Sequence, residues 1–200
     1  MNIIFDLGGV VLNWTPEKII GQFFEEEDAL LHVQEKIFKH EDWNEFDRGN
    51  LETEILLQRI SARTGMEIKR GHEFLNAVFL SLEPIPGTLE LLYKLKAAGQ
   101  RLFCLSNINL PALVYLKQTY AFWEVFHGCV FSCFVKMIKP EEGIYKYLLS
   151  QYDLNPHDCL FFDDTQVNIE AAGKLGVRAV LFKGAADCEA QIVRVLSDSR

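Results

Sequence analysis

Short runs of consecutive apolar residues punctuate the chain: Ile3-Ile4-Phe5, Leu102-Phe103-Cys104-Leu105, Val130-Phe131, Leu160-Phe161-Phe162 and Ala179-Val180-Leu181-Phe182. Each is too short for a lone buried helix, and none alternates apolar with polar, which predicts strands covered on both faces. Between the runs, apolar positions recur at helical spacing. Leu89, Leu91, Leu92 and Leu95 follow Pro86-Gly87 and stop at Ala98-Gly99; Ile144, Tyr145, Leu148 and Leu149 follow Pro140; Ile169, Ala172 and Leu175 precede Gly176. Proline at a helix start and glycine just past its end match the asymmetry of helix termini. Strand and helix therefore alternate from about residue 87 onward, which predicts an α/β fold of right-handed βαβ units: a mostly parallel sheet with helices on both faces.

The segment after the first strand breaks this rhythm. Ile19, Ile20, Phe23 and Phe24, then Leu30, Leu31, Val33, Ile37 and Phe38, then Ile55 to Ile60, then Phe74 to Leu82 all read as amphipathic helices. An all-helical insert over 15–85 is expected to divide the core domain into 1–14 and 86–200, with Pro16 and Pro84-Ile85-Pro86 as its hinges.

Composition narrows the class. Of 200 residues, 49% are hydrophobic and 24% charged, and Gly plus Pro number 13 + 6 = 19, which excludes disordered and low-complexity chains. A net charge of −8 argues against a nucleic-acid or anionic-membrane partner held by bulk charge. No stretch approaches the roughly 18 apolar residues of a membrane span, and the first residues lack signal-peptide character, so a cytoplasmic location is expected. Cys104, Cys129, Cys133, Cys159 and Cys188 form no C-x-x-C pair, and His32, His40, His72, His127 and His157 share no metal-ligand spacing. The oligomeric state, monomer or homodimer, is left open.

In an open α/β sheet, ligands bind beyond the carboxyl ends of the strands. Asp6 follows the first strand, Ser106-Asn107 the second, and Asp163-Asp164 the run at 160–162, while Lys139-Pro140 precedes the Ile144 helix. Three carboxylates converging on one crevice repel each other, and a hard, oxygen-rich set with few protein ligands suits Mg2+. With Mg2+ and Lys139 neutralising a phosphoryl group, Asp6 is placed to attack phosphorus, and Ser106 and Asn107 to hydrogen-bond its oxygens.

Four ordered segments carry a specific likeness: Phe5-Asp6-Leu7-Gly8-Gly9-Val10, Leu105-Ser106-Asn107, Lys139-Pro140-Glu141-x-x-Ile144-Tyr145 and Phe162-Asp163-Asp164-x-x-x-Asn168. Together they resemble the motifs of the haloacid dehalogenase superfamily over nearly the whole chain. The insert resembles that family's helical C1 cap, and Trp43 to Gly49 its cap loop before a helix. The layout is most similar to small sugar-phosphate phosphatases, including the branch acting on glucose 1-phosphate. The resemblance implies a Rossmann-like sheet with the Asp6 strand central. It implies Asp6 as nucleophile and metal ligand, Asp164 as the main second ligand, Asp163 as a supporting one and the Gly8 carbonyl as a further ligand. Ser106, Asn107 and Lys139 would bind phosphate, with Lys139 also steadying the nucleophile and Asn168 supporting its loop. The implied reaction is Mg2+-dependent hydrolysis of a small phosphorylated metabolite, a sugar phosphate being the example at hand.

One departure stands out. Family phosphatases usually place an acid–base Asp two residues after the nucleophile, and this chain has Gly8 there. Loss of such a group costs about 10²–10⁴-fold in rate, so a weakly active or non-catalytic phospholigand-binding module is the alternative, with carbon–halogen displacement by Asp6 ranked below both. In the insert, Trp14, Trp43, Phe46 and Arg48 are candidate lining residues of a substrate pocket, set against ordinary packing roles for the same aromatics.

Overall fold

The computed structural model describes residues 1–24 and 33–198. Five parallel strands, β1 (Asn2–Phe5), β2 (Arg101–Ser106), β3 (Gly128–Phe131), β4 (Cys159–Asp163) and β5 (Arg178–Leu181), form one sheet in the order β3-β2-β1-β4-β5. β1 is central, with Phe5 in register with Cys104 on one side and Phe162 on the other. All five apolar runs supply strand residues; the last stops one residue early, at Leu181.

The absence of alternation has a direct cause: successive side chains enter two different cores. Ile3, Phe5, Leu102, Cys104, Leu160 and Phe162 pack on one face against α5 (Pro86–Ala97), α6 (Leu110–Thr119) and α10 (Ala185–Asp198). Ile4, Phe103, Leu105 and Phe161 point to the other face, against α8 (Glu142–Gln151) and α9 (Gln166–Lys174). Strand residues offset by one therefore serve opposite layers, and both must be apolar. Between β3 and α8 a short helix, α7 (Ser132–Val135), leads into the loop that carries Lys139.

Between β1 and α5 lie α1 (Pro16–Phe23), α2 (Glu41–Asp47), α3 (Thr53–Thr64) and α4 (Ile68–Ser81). Their buried residues, among them Ile19, Ile20, Phe38, Trp43, Phe46, Leu57, Ile60, Phe74 and Val78, form a hydrophobic cluster distinct from the two on the sheet. Asp42, buried at the start of α2, is held by Arg59 at 2.5 Å and by Arg63, both on α3, which ties the two helices together beneath that cluster. Trp43 to Gly49 departs from the expected loop. Residues through Asp47 are helical, because His40 Nδ1 accepts from the Asp42 N–H and Trp43 and Phe46 each find an apolar site. Leu30, Leu31, His32 and the acidic run at 25–28 fall outside the described residues. Among the described residues no helix is long and apolar enough to cross a membrane.

Candidate active site

The carboxyl ends of β1, β2 and β4 meet beneath the helical insert. Asp6 follows β1 directly; its N–H donates to the Phe162 carbonyl at 3.0 Å, so the sheet itself fixes its backbone. The chain then turns sharply. The Leu7 carbonyl accepts from the N–H groups of Val10, Val11 and Leu12, and Gly9 sits at φ +73. A Cβ at Gly9 would come within 2.6 Å of Asp164 Cγ, so glycine is required both by the dihedral and by the approach of that carboxylate.

Lys139 is the buried centre of the arrangement. Its Nζ lies 2.7 Å from Asp6 Oδ1 and 2.6 Å from Asp163 Oδ2. Burial works against its charge, but Asp6 and Asp163 hold its pKa above the ordinary lysine value. Asp163 is saturated: beyond Lys139 it accepts from the Thr165 N–H at 2.9 Å and from Asn168 Nδ2 at 2.9 and 3.1 Å. Asn168 is in turn fixed by Tyr145, whose hydroxyl donates to its carbonyl. Asp6 keeps one oxygen for Lys139 and the Leu7 N–H, 2.7 Å away, and burial, helped by Asp163 and Asp164 and opposed by Lys139, pushes its carboxyl up to about 7. Burial and the Asp163 charge also raise Asp164, which accepts from the Thr165 hydroxyl at 3.2 Å.

One ligand atom from each of Asp6, Asp163 and Asp164 lies within 4.8 Å of the others, close enough for a shared cation. Asn107 has a different engagement from a plain phosphate ligand. Its side-chain amide forms a reciprocal pair with the Lys139 backbone, Nδ2 donating to the carbonyl at 2.9 Å and Oδ1 accepting from the N–H at 2.7 Å. It therefore positions the lysine loop. Among the described residues the Ser106 hydroxyl has only a long contact, 3.4 Å, to the Asn107 carbonyl.

A cavity of about 360 Å3 extends from this cluster into the insert. Asp6, Gly8, Ser106, Asn107, Lys139, Asp164 and Asn168 all line it; Asp163 lies behind the wall, holding Lys139. On the insert's side, Trp14 and Trp43 face the cavity, but Phe46 and Arg48 do not. Phe46 is buried in the insert's own cluster, and the Arg48 guanidinium forms a fork with Glu141 at 2.7 and 2.8 Å and also reaches Glu45. The wall that replaces them includes Phe38, Lys39, Asn44 and Asp47, which were not singled out from the sequence. For Asp47 a signal was present: residues four apart share a helix face, so a Trp43 that faces a cavity brings Asp47 to its own side, although the same rule admits Phe46 three residues on.

A family model described as haloacid dehalogenase-like hydrolase matches residues 1–176. The chain belongs to that family. This haloacid dehalogenase-like hydrolase is 26% identical over 174 residues to the sesquiterpene phosphatase astK of Aspergillus oryzae, covering 87% of this chain and 85% of the relative. It is 29% identical over 187 residues to a phosphorylated carbohydrates phosphatase of Thermotoga maritima, covering 89% and 82% respectively. Its fold matches that of a crystallised HAD-family enzyme of Bacteroides thetaiotaomicron in complex with magnesium and inorganic phosphate. That match has a TM-score of 0.74, 24% identity, and coverage of 91% of this chain and 93% of the other.

Proposed function

We propose that this hydrolase is a Mg2+-dependent phosphomonoesterase that passes the phosphoryl group of a small phosphorylated metabolite through an aspartyl-phosphate on Asp6. The observation that carries the proposal is the pairing of Asp6 with a buried Lys139 at 2.7 Å at the floor of a cavity also lined by Asp164. The donor set suits Mg2+: carboxylate oxygens of Asp6 and Asp164, the Gly8 carbonyl, and Asp163 in support, with no sulfur or imidazole among the described residues facing the cavity. When bound, the ion would neutralise charge on the phosphoryl oxygens.

The chain's own groups account for the rest. Lys139 and the Leu7 N–H hold one oxygen of Asp6, leaving the other as nucleophile. Ser106 presents a nearly unengaged hydroxyl to the phosphoryl group, Asn107 and Asp163 fix Lys139, and Asn168 fixes Asp163. The insert shields the site from bulk water, which favours transfer to Asp6 over side reactions.

On the leaving group two readings stand. A sugar phosphate fits the polar part of the chamber, Gln34, Lys39 and Asn44. The phosphate ester of a more apolar alcohol fits the remainder, which Leu12, Trp14, Phe38, Trp43, Val78 and Leu82 line. The names of the two phosphatase relatives divide in the same way.

The test is phosphate release from a panel of sugar and terpenoid monophosphates, with and without Mg2+. Turnover is expected to require the metal and to vanish in Asp6→Asn. Release undiminished by that substitution rejects the mechanism. Binding without turnover across the panel favours the phospholigand-binding alternative, and metal-independent halide release from a haloacid the dehalogenase one.

A further inference from the structure

We infer that Asp47, on the helical insert, is the proton donor to the departing alcohol and the acceptor of the hydrolytic water's proton. The inference rests on the phosphomonoesterase reading. Cleaving an ester of an ordinary alcohol needs a proton at the leaving oxygen, and position 8 offers no side chain to carry one.

The described residues around the cavity leave few candidates. Its titratable members are Asp6, Lys39, Asp47, Lys139 and Asp164, with no His, Cys, Tyr or Glu among them. Asp6 is the nucleophile, Lys139 is locked between two carboxylates, and Asp164 belongs to the metal cluster. Lys39 is turned to Glu35, 2.6 Å away. Asp47 alone remains.

Its setting suits the task. Asp47 closes α2 on the face it shares with Trp43. Asn109, the cap of α6, donates to Asp47 Oδ1 at 2.9 Å and accepts from the Ala112 N–H at 3.0 Å. Ser132 Oγ donates to the Asp47 carbonyl at 2.5 Å. Asn109 thus holds the carboxyl and Ser132 the backbone that carries it, both from the core although the residue belongs to the insert. Among the described residues it has no ion pair. Burial pushes it up to about 7 against the hydrogen bonds from Asn109 and Trp43, and the negative end of α2 adds to the preference for the neutral acid.

The steps balance. One Asp6 oxygen bonds to phosphorus as the bond from phosphorus to the alcohol oxygen breaks, and the Asp47 proton passes to that oxygen, leaving a carboxylate and a neutral alcohol. Water then attacks phosphorus, the bond from phosphorus to Asp6 breaks, and the water's proton returns to Asp47.

The test measures kcat/KM, which reports only steps up to departure of the alcohol, for an alkyl phosphate and for an aryl phosphate whose phenolate leaves without a proton. In Asp47→Asn the alkyl ester is expected to lose about 10²–10⁴-fold and the aryl ester less than tenfold. Asp47→Glu, which keeps an acid, should recover part of the alkyl activity. Equal losses for the two esters, or none for either, overturn the assignment. A wild-type enzyme that releases phosphate from neither ester and from no member of the monophosphate panel removes the phosphomonoesterase reading, and the assignment falls with it. Far-ultraviolet circular dichroism and a thermal melt establish that each variant is folded.

Discussion

Replacing Lys139 by Met keeps the length of the side chain and removes the cation that sits between Asp6 and Asp163. Both carboxylates lie close to the ammonium, at 2.7 and 2.6 Å, and all three groups are buried. Removing one partner of a buried ion pair costs about 3–5 kcal/mol, because the group left behind stays in a poorly solvated site. Two carboxylates are left behind here, so the upper part of that range is expected, against a total stability of roughly 5–15 kcal/mol for a domain. Asp163→Asn alone keeps its contacts with Thr165 and Asn168 but turns an amide toward the ammonium, and should cost roughly 1–3 kcal/mol. In the double variant only Asp6 remains charged, and it retains the Leu7 N–H at 2.7 Å. The double loss should therefore fall short of the sum of the single losses by at least about 1 kcal/mol. Urea unfolding of the four proteins in the presence of a chelator measures the cycle. Additivity within about 0.5 kcal/mol, or a Lys139→Met loss under about 1 kcal/mol, would refute the claim that this lysine neutralises two buried acids.

Two further predictions address neighbouring features. Gly9→Ala forces a side chain into the left-handed region and onto Asp164. It should cost about 1–3 kcal/mol in stability and, by displacing Asp164, raise the Mg2+ concentration needed for half-maximal turnover; a variant with wild-type metal dependence would contradict the placement of Asp164. For Asp47 the folded-state value, about 7, lies above the ordinary 3.8. The neutral acid is therefore favoured in the fold, and its contribution is complete below about 4 and lost as the pH rises through about 7. The full gap corresponds to about 4 kcal/mol, and partial exposure reduces it to roughly 1–2 kcal/mol. Asp47→Asn should accordingly be more stable than wild type at pH 8 by that amount and equal to it near pH 4; equal denaturation midpoints at both pH values would show that the carboxyl is not destabilised in the fold.

Much of the core was legible in the sequence for one reason. A strand covered on both faces must be apolar at every position, and the first polar residue after such a run marks where it leaves the sheet. Asp6, Ser106 and Asp163 were identified by that rule. The insert offered no equivalent marker. Its aromatics serve two masters, a private cluster and a cavity wall, and composition does not distinguish them: Trp43 contributes to both, Phe46 only to the cluster. Arg48, a candidate for the pocket lining, is claimed by Glu141, a partner 93 positions away that no local pattern announces. Asn107 is similar. Its amide looked suited to a phosphoryl oxygen, yet it holds the backbone of a residue 32 positions on.

Three of the contacts that seat the insert on the core fall on one stretch of chain, 132–141. Ser132 holds Asp47, Lys136 holds the Gly49 carbonyl, and Glu141 grips Arg48. That stretch also delivers Lys139. Under the proposed mechanism, an outward movement of the insert would have to release the same segment that carries the ammonium paired with Asp6, so opening for product exit and slackening of the floor beneath that carboxylate would become one mechanical event.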